Sequence, residues 1–239
     1  MGKMVAERNV RMGERMDKER MENQEIAEPW RVVLEGGQGE LTEKKSRFIA
    51  TVRPVESEEE ATAFIEEMKK TYWDASHNCS AFVIGEKAGL TRCSDDGEPA
   101  RTAGRPMLEV LLGEKIRNAA VVVTRYFGGT LLGTGGLVRA YTMAVKEGLA
   151  ACRLGTMRYG VRLQIDADYT DLGKIQYLMG QEGLEPEEIS YTDRVRIRLL
   201  LVWEKAEGFE KKLVEATNGR AAYDRMERLY FVDKDGPIQ

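Results

Sequence analysis

From Trp30 onward the chain alternates short apolar runs with turn-forming residues. W-R-V-V-L at 30–34 reads as a strand, E-G-G-Q-G-E punctuates it, and F-I-A-T-V at 48–52 supplies a second strand before Pro54. The two are expected to pair as an opening hairpin. Ser57 followed by Glu60 forms a capping-box pattern, and Ala61, Phe64, Ile65 and Met68 recur on one helical face, predicting an amphipathic helix over 58–71. Its acidic first turn, Glu58 to Glu60, suits the helix dipole. His77 to Ile84 reads as a strand ending at Gly85, K-A-G-L as a turn, and L-T-R-C-S as the partner strand. Ser94 to Pro99 is turn-prone, and a short helix is expected over 102–112, with Pro106 tolerated near its first turn because it lacks an amide hydrogen. Ala119 to Val123 is the candidate central strand, apolar on both faces. Five glycines follow within Phe127 to Gly136, then an Ala- and Leu-rich helical stretch over 137–151.

The remainder reads strand 159–167, helix 169–182, strand 184–191, strand 194–203, helix 205–217, strand 221–232, with Thr192-Asp193 turning the central hairpin. This β-α-β-β-α-β order is that of a ferredoxin-like domain. The expected fold class is therefore α+β in two domains, 29–154 and 155–239, with the boundary near Leu154 to Met157. Residues 1–28 carry six basic and seven acidic side chains with little to bury, and are expected to form a disordered or weakly helical arm. Met1, Met4, Met12, Met16 and Met21 all fall there, so translation is expected to start at a later one, Met16 or Met21. An intact mass of the protein made from its native gene tests this; a full-length mass contradicts it.

Composition narrows the function. The 239 residues hold 36 Lys+Arg against 40 Asp+Glu, a net charge of −4, with 42% hydrophobic and 32% charged residues: a foldable chain rather than a polycation. The first domain holds 17 basic and 17 acidic side chains and the second 13 and 16, so neither has the excess positive charge of a strong nucleic-acid binder. The longest apolar runs, Ala119 to Val123 and Leu199 to Trp203, are far short of the roughly 20 residues of a bilayer span. The N-terminus has no secretory signal pattern, and a cytoplasmic location without membrane contact is expected. Three cysteines, Cys79, Cys93 and Cys152, without a C-x-x-C pair fit reduced thiols, and a lone histidine, His77, limits metal and acid–base chemistry.

The glycine segment is the most informative. Backbone amides at the start of the following helix favour an anion, and Arg125 and Arg139 flank them, so Arg125, Gly128, Gly129, Gly133, Thr134, Gly135, Gly136 and Arg139 form a candidate anion or nucleic-acid site. The competing reading is purely architectural: a tight crossover and helix–sheet contact. No G-K-[ST] follows and no convincing dinucleotide fingerprint is present, so no nucleotide cofactor is expected. Asp95, Asp96, Glu98, Arg101 and Arg105 form a second candidate, an interaction loop; its acids lack calcium-loop spacing, and a solvated turn outweighs a metal site. His77 and Cys79 share a strand face but lack a third orienting group, favouring a structural role over a nucleophile–base pair. Tyr126 and Tyr141 read either as base-stacking platforms or as core.

Together these segments resemble the YigZ/IMPACT family. The matching residues are K-K-S-R-F-I at 44–49, H-N-C-S-A-F-V-I-G at 77–85, S-D-D-G-E-P with T-A-G-R-P at 94–106, and T-R-Y-F-G-G-T-L-L-G-T-G-G-L-V-R-A-Y at 124–141. The resemblance implies an N-terminal domain with the fold of elongation factor G domain IV and a small-subunit ribosomal protein, and a C-terminal domain similar to elongation factor G domain V. It also implies a non-catalytic translation or stress regulator contacting RNA, the ribosome or a translation-related protein, with no catalytic residue set and no cofactor. Arg101 stands where the family reads glycine; if that glycine serves a positive-φ turn, arginine would strain it by roughly 1–2 kcal/mol, so the loop is expected to differ locally or gain a cation. The alternative is an enzyme acting on a phosphorylated or peptide-like small molecule, with the glycine loop as cradle and Asp95, Asp96 or Glu98 as acid or base.

Overall fold

The structure, a computed structural model, describes residues 28–233; the expected N-terminal arm, apart from Glu28, lies outside them. Two sheets organise the chain. The first has the order β2-β3-β7-β4-β5, built from β2 (Gly37–Glu43), β3 (Ser46–Pro54), β4 (His77–Ile84), β5 (Leu90–Ser94) and β7 (Ala119–Tyr126), all antiparallel. The central strand is the one expected from the sequence. Its odd positions Ala119, Val121 and Val123 pack under α2 (Gly104–Gly113) and α3 (Thr134–Ala150), while Ala120 and Val122 pack against α1 (Glu58–Thr71) on the other face. Ser57 caps α1, its hydroxyl accepting from the Glu60 amide, but the Glu60 carboxylate accepts from the Glu56 amide rather than that of Ser57, so only half of the capping box forms.

The expected opening hairpin is wrong. Residues 30–34 do not pair with 48–52; Gly37–Glu43, read as punctuation, is itself the hairpin partner of β3. Its glycines admit a helix rather than make a turn. A Cβ at Gly39 would lie 2.4 Å from the carbonyl carbon of Glu147, so only glycine lets β2 lie this close to α3.

Strand β1 (Trp30–Glu35) joins the second sheet, pairing in parallel with β6 (Ile116–Arg117) and antiparallel with the start of β8 (Arg153–Ala167). The long β8 runs without a break through residues 154–157, where the domain boundary is expected. Beyond it, α4 (Tyr169–Gln181), β9 (Pro186–Tyr191), β10 (Val195–Val202), α5 (Trp203–Thr217) and β11 (Ala222–Asp233) complete the ferredoxin-like order β11-β8-β10-β9. Inward residues of β8 and β10 pack under α4 and α5 as a second core. Rings of Trp30 and Tyr230 (5.0 Å), Tyr230 and Tyr159 (5.1 Å), and Tyr159 and Trp203 (5.9 Å) link β1 to the far half of the chain. Among the described residues no helix is long and apolar enough to cross a membrane.

Asp171, buried in the first turn of α4, accepts two hydrogen bonds from Arg220, one of them from Nε at 2.9 Å, tying that helix to the segment after α5. The Arg220 hydrogen bonds hold the Asp171 carboxyl below its ordinary value of 3.8. A depressed carboxylate stabilises the fold above its unfolded pKa, and that contribution disappears as pH falls through the folded value. Thermal melts from neutral pH down into the acid range should therefore show Asp171→Asn less stable than wild type at neutral pH, with the gap closing in acid. A gap independent of pH contradicts the assignment.

Candidate functional site

Arg125 continues the odd-numbered face of β7, opposite Phe48 of β3 and His77 of β4, so strand alternation sends its side chain inward beneath α3. The residue is 5% exposed. Its Nη1 donates to Glu98 Oε1 at 2.6 Å and its Nη2 to Ser46 Oγ at 3.4 Å, and its guanidinium carbon lies 5.4 and 5.5 Å from the rings of Phe48 and Phe127. Glu98 Oε1 also accepts from the Tyr141 hydroxyl at 2.8 Å, and that hydroxyl accepts from the Cys79 thiol at 3.3 Å. Burial pushes both the Cys79 thiol and the Tyr141 phenol up, so neither ionises near neutrality to act as a nucleophile or base. Tyr141 is fully buried, edge-on to Phe48, which settles it as core rather than a base-stacking platform.

The acidic loop is held from within. Asp95 accepts from the amides of Arg101 (2.8 Å), Ala103 (3.0 Å) and Gly104 (2.8 Å), capping α2 in place of Ala103, whose side chain cannot. Asp96 accepts from the Asn78 amide at 2.6 Å, pairs with Lys69 at 3.3 Å, and its carbonyl accepts from His77 Nδ1 at 2.8 Å. These bonds occupy Asp95 and Asp96 and leave the proposed acid–base role to Glu98 alone. Because a carbonyl only accepts, His77 Nδ1 is the donor in that bond, and its Nε2 lies 3.9 Å from Glu98 Oε2. Arg101 does sit at positive φ, +65°, with its side chain exposed, a conformation costing about 1–2 kcal/mol outside glycine. Arg105 lies outward, paired with Glu109 at 2.8 Å.

The glycine segment divides. A Cβ at Gly128 would come within 2.0 Å of the Lys45 carbonyl carbon, and its amide donates to Ser46 Oγ, so this glycine serves close packing. Gly133, at φ +74°, starts α3 three residues earlier than the sequence suggests and contributes no side-chain cap. The first intrahelical bond runs from the Leu137 amide to the Gly133 carbonyl, and the amides of Thr134, Gly135 and Gly136 have no backbone partner among the described residues. Beside Gly133 and Thr134 opens a cavity of about 410 Å³ with Pro99, Phe127, Leu131, Leu132 and Leu137 as walls and His77, Glu98 and Arg125 as polar lining. Gly97 also borders it, whereas Gly129, Gly135, Gly136 and Arg139 do not.

The structure therefore separates the two arginines taken as flanking cations. Arg125 is internal and neutralised by Glu98; Arg139 is exposed on α3, outside the cavity and without an ion pair among the described residues. Sequence reasoning missed Ser46, which bridges Gly128 and Arg125, and the apolar rim, where Leu131 is 82% and Phe127 48% exposed. An apolar pair on either side of glycines was the available signal.

Comparison with known proteins gives matches to the Impact N-terminal domain over residues 44–149 and to a domain of unknown function (DUF1949) over 165–220. The chain is 41% identical to the IMPACT family member YvyE of Bacillus subtilis, over 83% of this chain and 92% of that protein. It is 37% identical to the IMPACT family member YigZ of Escherichia coli, over 74% and 87% respectively. A crystal structure titled only as that of a hypothetical protein superimposes with a TM-score of 0.53 at 34% identity, covering 84% of this chain and 99% of its own.

Removing one partner from a buried ion pair leaves an uncompensated charge and typically costs about 3–5 kcal/mol. Arg125→Ala should cost that much in urea unfolding, whereas Arg139→Ala should change stability by less than about 0.5 kcal/mol. Equal effects of the two substitutions contradict the division drawn between them.

Proposed function

The chain belongs to the IMPACT family, and on that premise we propose that it is a non-catalytic binding protein acting in translation or stress regulation, which holds a translation-related protein or the ribosome at the cavity beside α3. The observation that carries this reading is the Arg125–Glu98 pair, buried at 2.6 Å. It converts the one charged couple at the cavity into architecture, while the walls stay apolar and open. The neutral Cys79 and Tyr141 and the committed Asp95 and Asp96 are, among the described residues, not placed as a nucleophile and an available base, which argues against the enzyme alternative that relies on the acidic loop. Binding led by bare RNA backbone loses its main cation with Arg125, in keeping with the even charge balance of the domain.

Leu131 tests the reading, because a side chain 82% exposed contributes little to folding. Tagged wild-type protein purified from its own cells should bring a translation factor or ribosomes with it, and Leu131→Asp should lose them. Retention of the same partners by Leu131→Asp, or their absence from the wild-type sample, rejects the proposal.

A further inference from the structure

Helix α3 begins at the cavity with its positive end uncompensated. Gly133 and Thr134 both line the cavity, Gly133 offers no side-chain cap, and the first turn holds no acidic residue. The Thr134 amide has neither a backbone nor a capping side-chain partner among the described residues. A helix of 17 residues directs a partial positive charge to this end, and the apolar walls beside it weaken screening by solvent.

A second group, independent of the helix, has the same need. Arg125 lines the same cavity with 6% of its side chain exposed. Glu98 takes its Nη1, Ser46 takes its Nη2, and the rings of Phe48 and Phe127 lie within 5.5 Å of the guanidinium carbon. Its Nε is buried with no hydrogen-bond partner. A buried donor left unpaired is costly, so this edge of the guanidinium calls for an acceptor. Glu98 is compensated by Arg125 and by the Tyr141 hydroxyl, and its other oxygen faces His77 Nε2 at 3.9 Å. Two donors and the partial charge of the helix end are therefore left unanswered.

Resting on the reading above, we infer that the cavity receives the C-terminal residue of a protein partner, its carboxylate on the Thr134 amide and Arg125 Nε and its apolar side chain against Phe127, Leu131, Leu132 and Leu137. A terminal carboxylate brings acceptor oxygens and one negative charge, which matches two donors at a helix start. The apolar body matches the walls: Leu131 and Phe127, 82% and 48% exposed, lose contact with water when such a side chain is seated. The cavity volume of about 410 Å³ is that of a small-ligand site rather than of a long groove. An internal peptide segment brings carbonyls without the charge. A phosphodiester chain brings a charge at every nucleotide, whereas Arg125 is already paired with Glu98.

The test is a titration of the isotope-labelled full chain, followed by NMR, with short peptides ending in leucine. A peptide with a free terminal carboxylate should shift the Thr134 amide and Arg125 Nε–H signals together, and its C-terminal carboxamide should bind about tenfold or more weakly. Thr134→Pro removes the amide at the first helical position, where proline is well tolerated, and should weaken the free-carboxylate peptide by a similar factor while the thermal melt shows the fold retained. Octanoate, a carboxylate on an apolar body without a peptide, should bind more weakly than the peptide. Carboxamide binding as tight as carboxylate, affinity indifferent to Thr134→Pro, or octanoate binding as tight as the peptide overturns the inference. Translation factors or ribosomes captured from cells by the tagged chain, lost with Leu131→Asp but kept with Thr134→Pro, reject this inference and leave the functional reading standing; no capture by the wild-type chain rejects both.

Discussion

The buried contact between Arg125 and Glu98 sets the geometry of everything around it. One guanidinium joins the end of the central strand to the acidic loop, reaches Ser46 at the start of β3, and leaves the opposite side of the same Glu98 oxygen for Tyr141 of α3. A carboxylate without this partner would face the desolvation cost of an unpaired buried charge, so the loop, two strands and a helix are held in one arrangement or not at all. Ser46 extends the same junction by accepting from the Gly128 amide, which positions the glycine segment before α3 begins.

That arrangement decides what the cavity can recognise. With Arg125 turned inward and paired with Glu98 Oε1, the other Glu98 oxygen faces His77 Nε2 at 3.9 Å. The start of α3 supplies amides rather than a positive side chain, and Pro99 with the leucines supplies surface. Thiol and phenol beside it remain protonated because burial disfavours their charged forms. Among the described residues the cavity offers apolar walls with Glu98, His77 and Thr134 as polar lining.

Much of the fold was legible because its signals are local. Five consecutive apolar residues at 119–123 can serve only a strand covered on both faces, and the alternation after 159 spells out β-α-β-β-α-β with its glycines at helix ends. What failed depends on distant groups. Gly37 and Gly39 look like turn residues until α3, more than a hundred positions later, is seen packed on them. Arg125, following an apolar run and preceding glycines, has the look of an exposed strand end; its neutralising partner lies 27 residues upstream and its hydroxyl partner 79. Asp95 and Asp96 resembled a solvated acidic turn, and only the α2 amides and the Asn78 amide reveal them as a cap and a clamp. Leu131 reads as core in any hydrophobicity pattern, and its exposure emerges only once the loop is placed.

The most direct measurement is a double-mutant cycle on folding stability with Arg125→Met, Glu98→Leu and the two combined. If the two side chains act as one internal unit, each single change should be severe and the pair should be less damaging than their sum by well over about 1 kcal/mol. Additivity within about 0.5 kcal/mol would mean that each group works independently, returning Arg125 to the role of a free cation and contradicting the account.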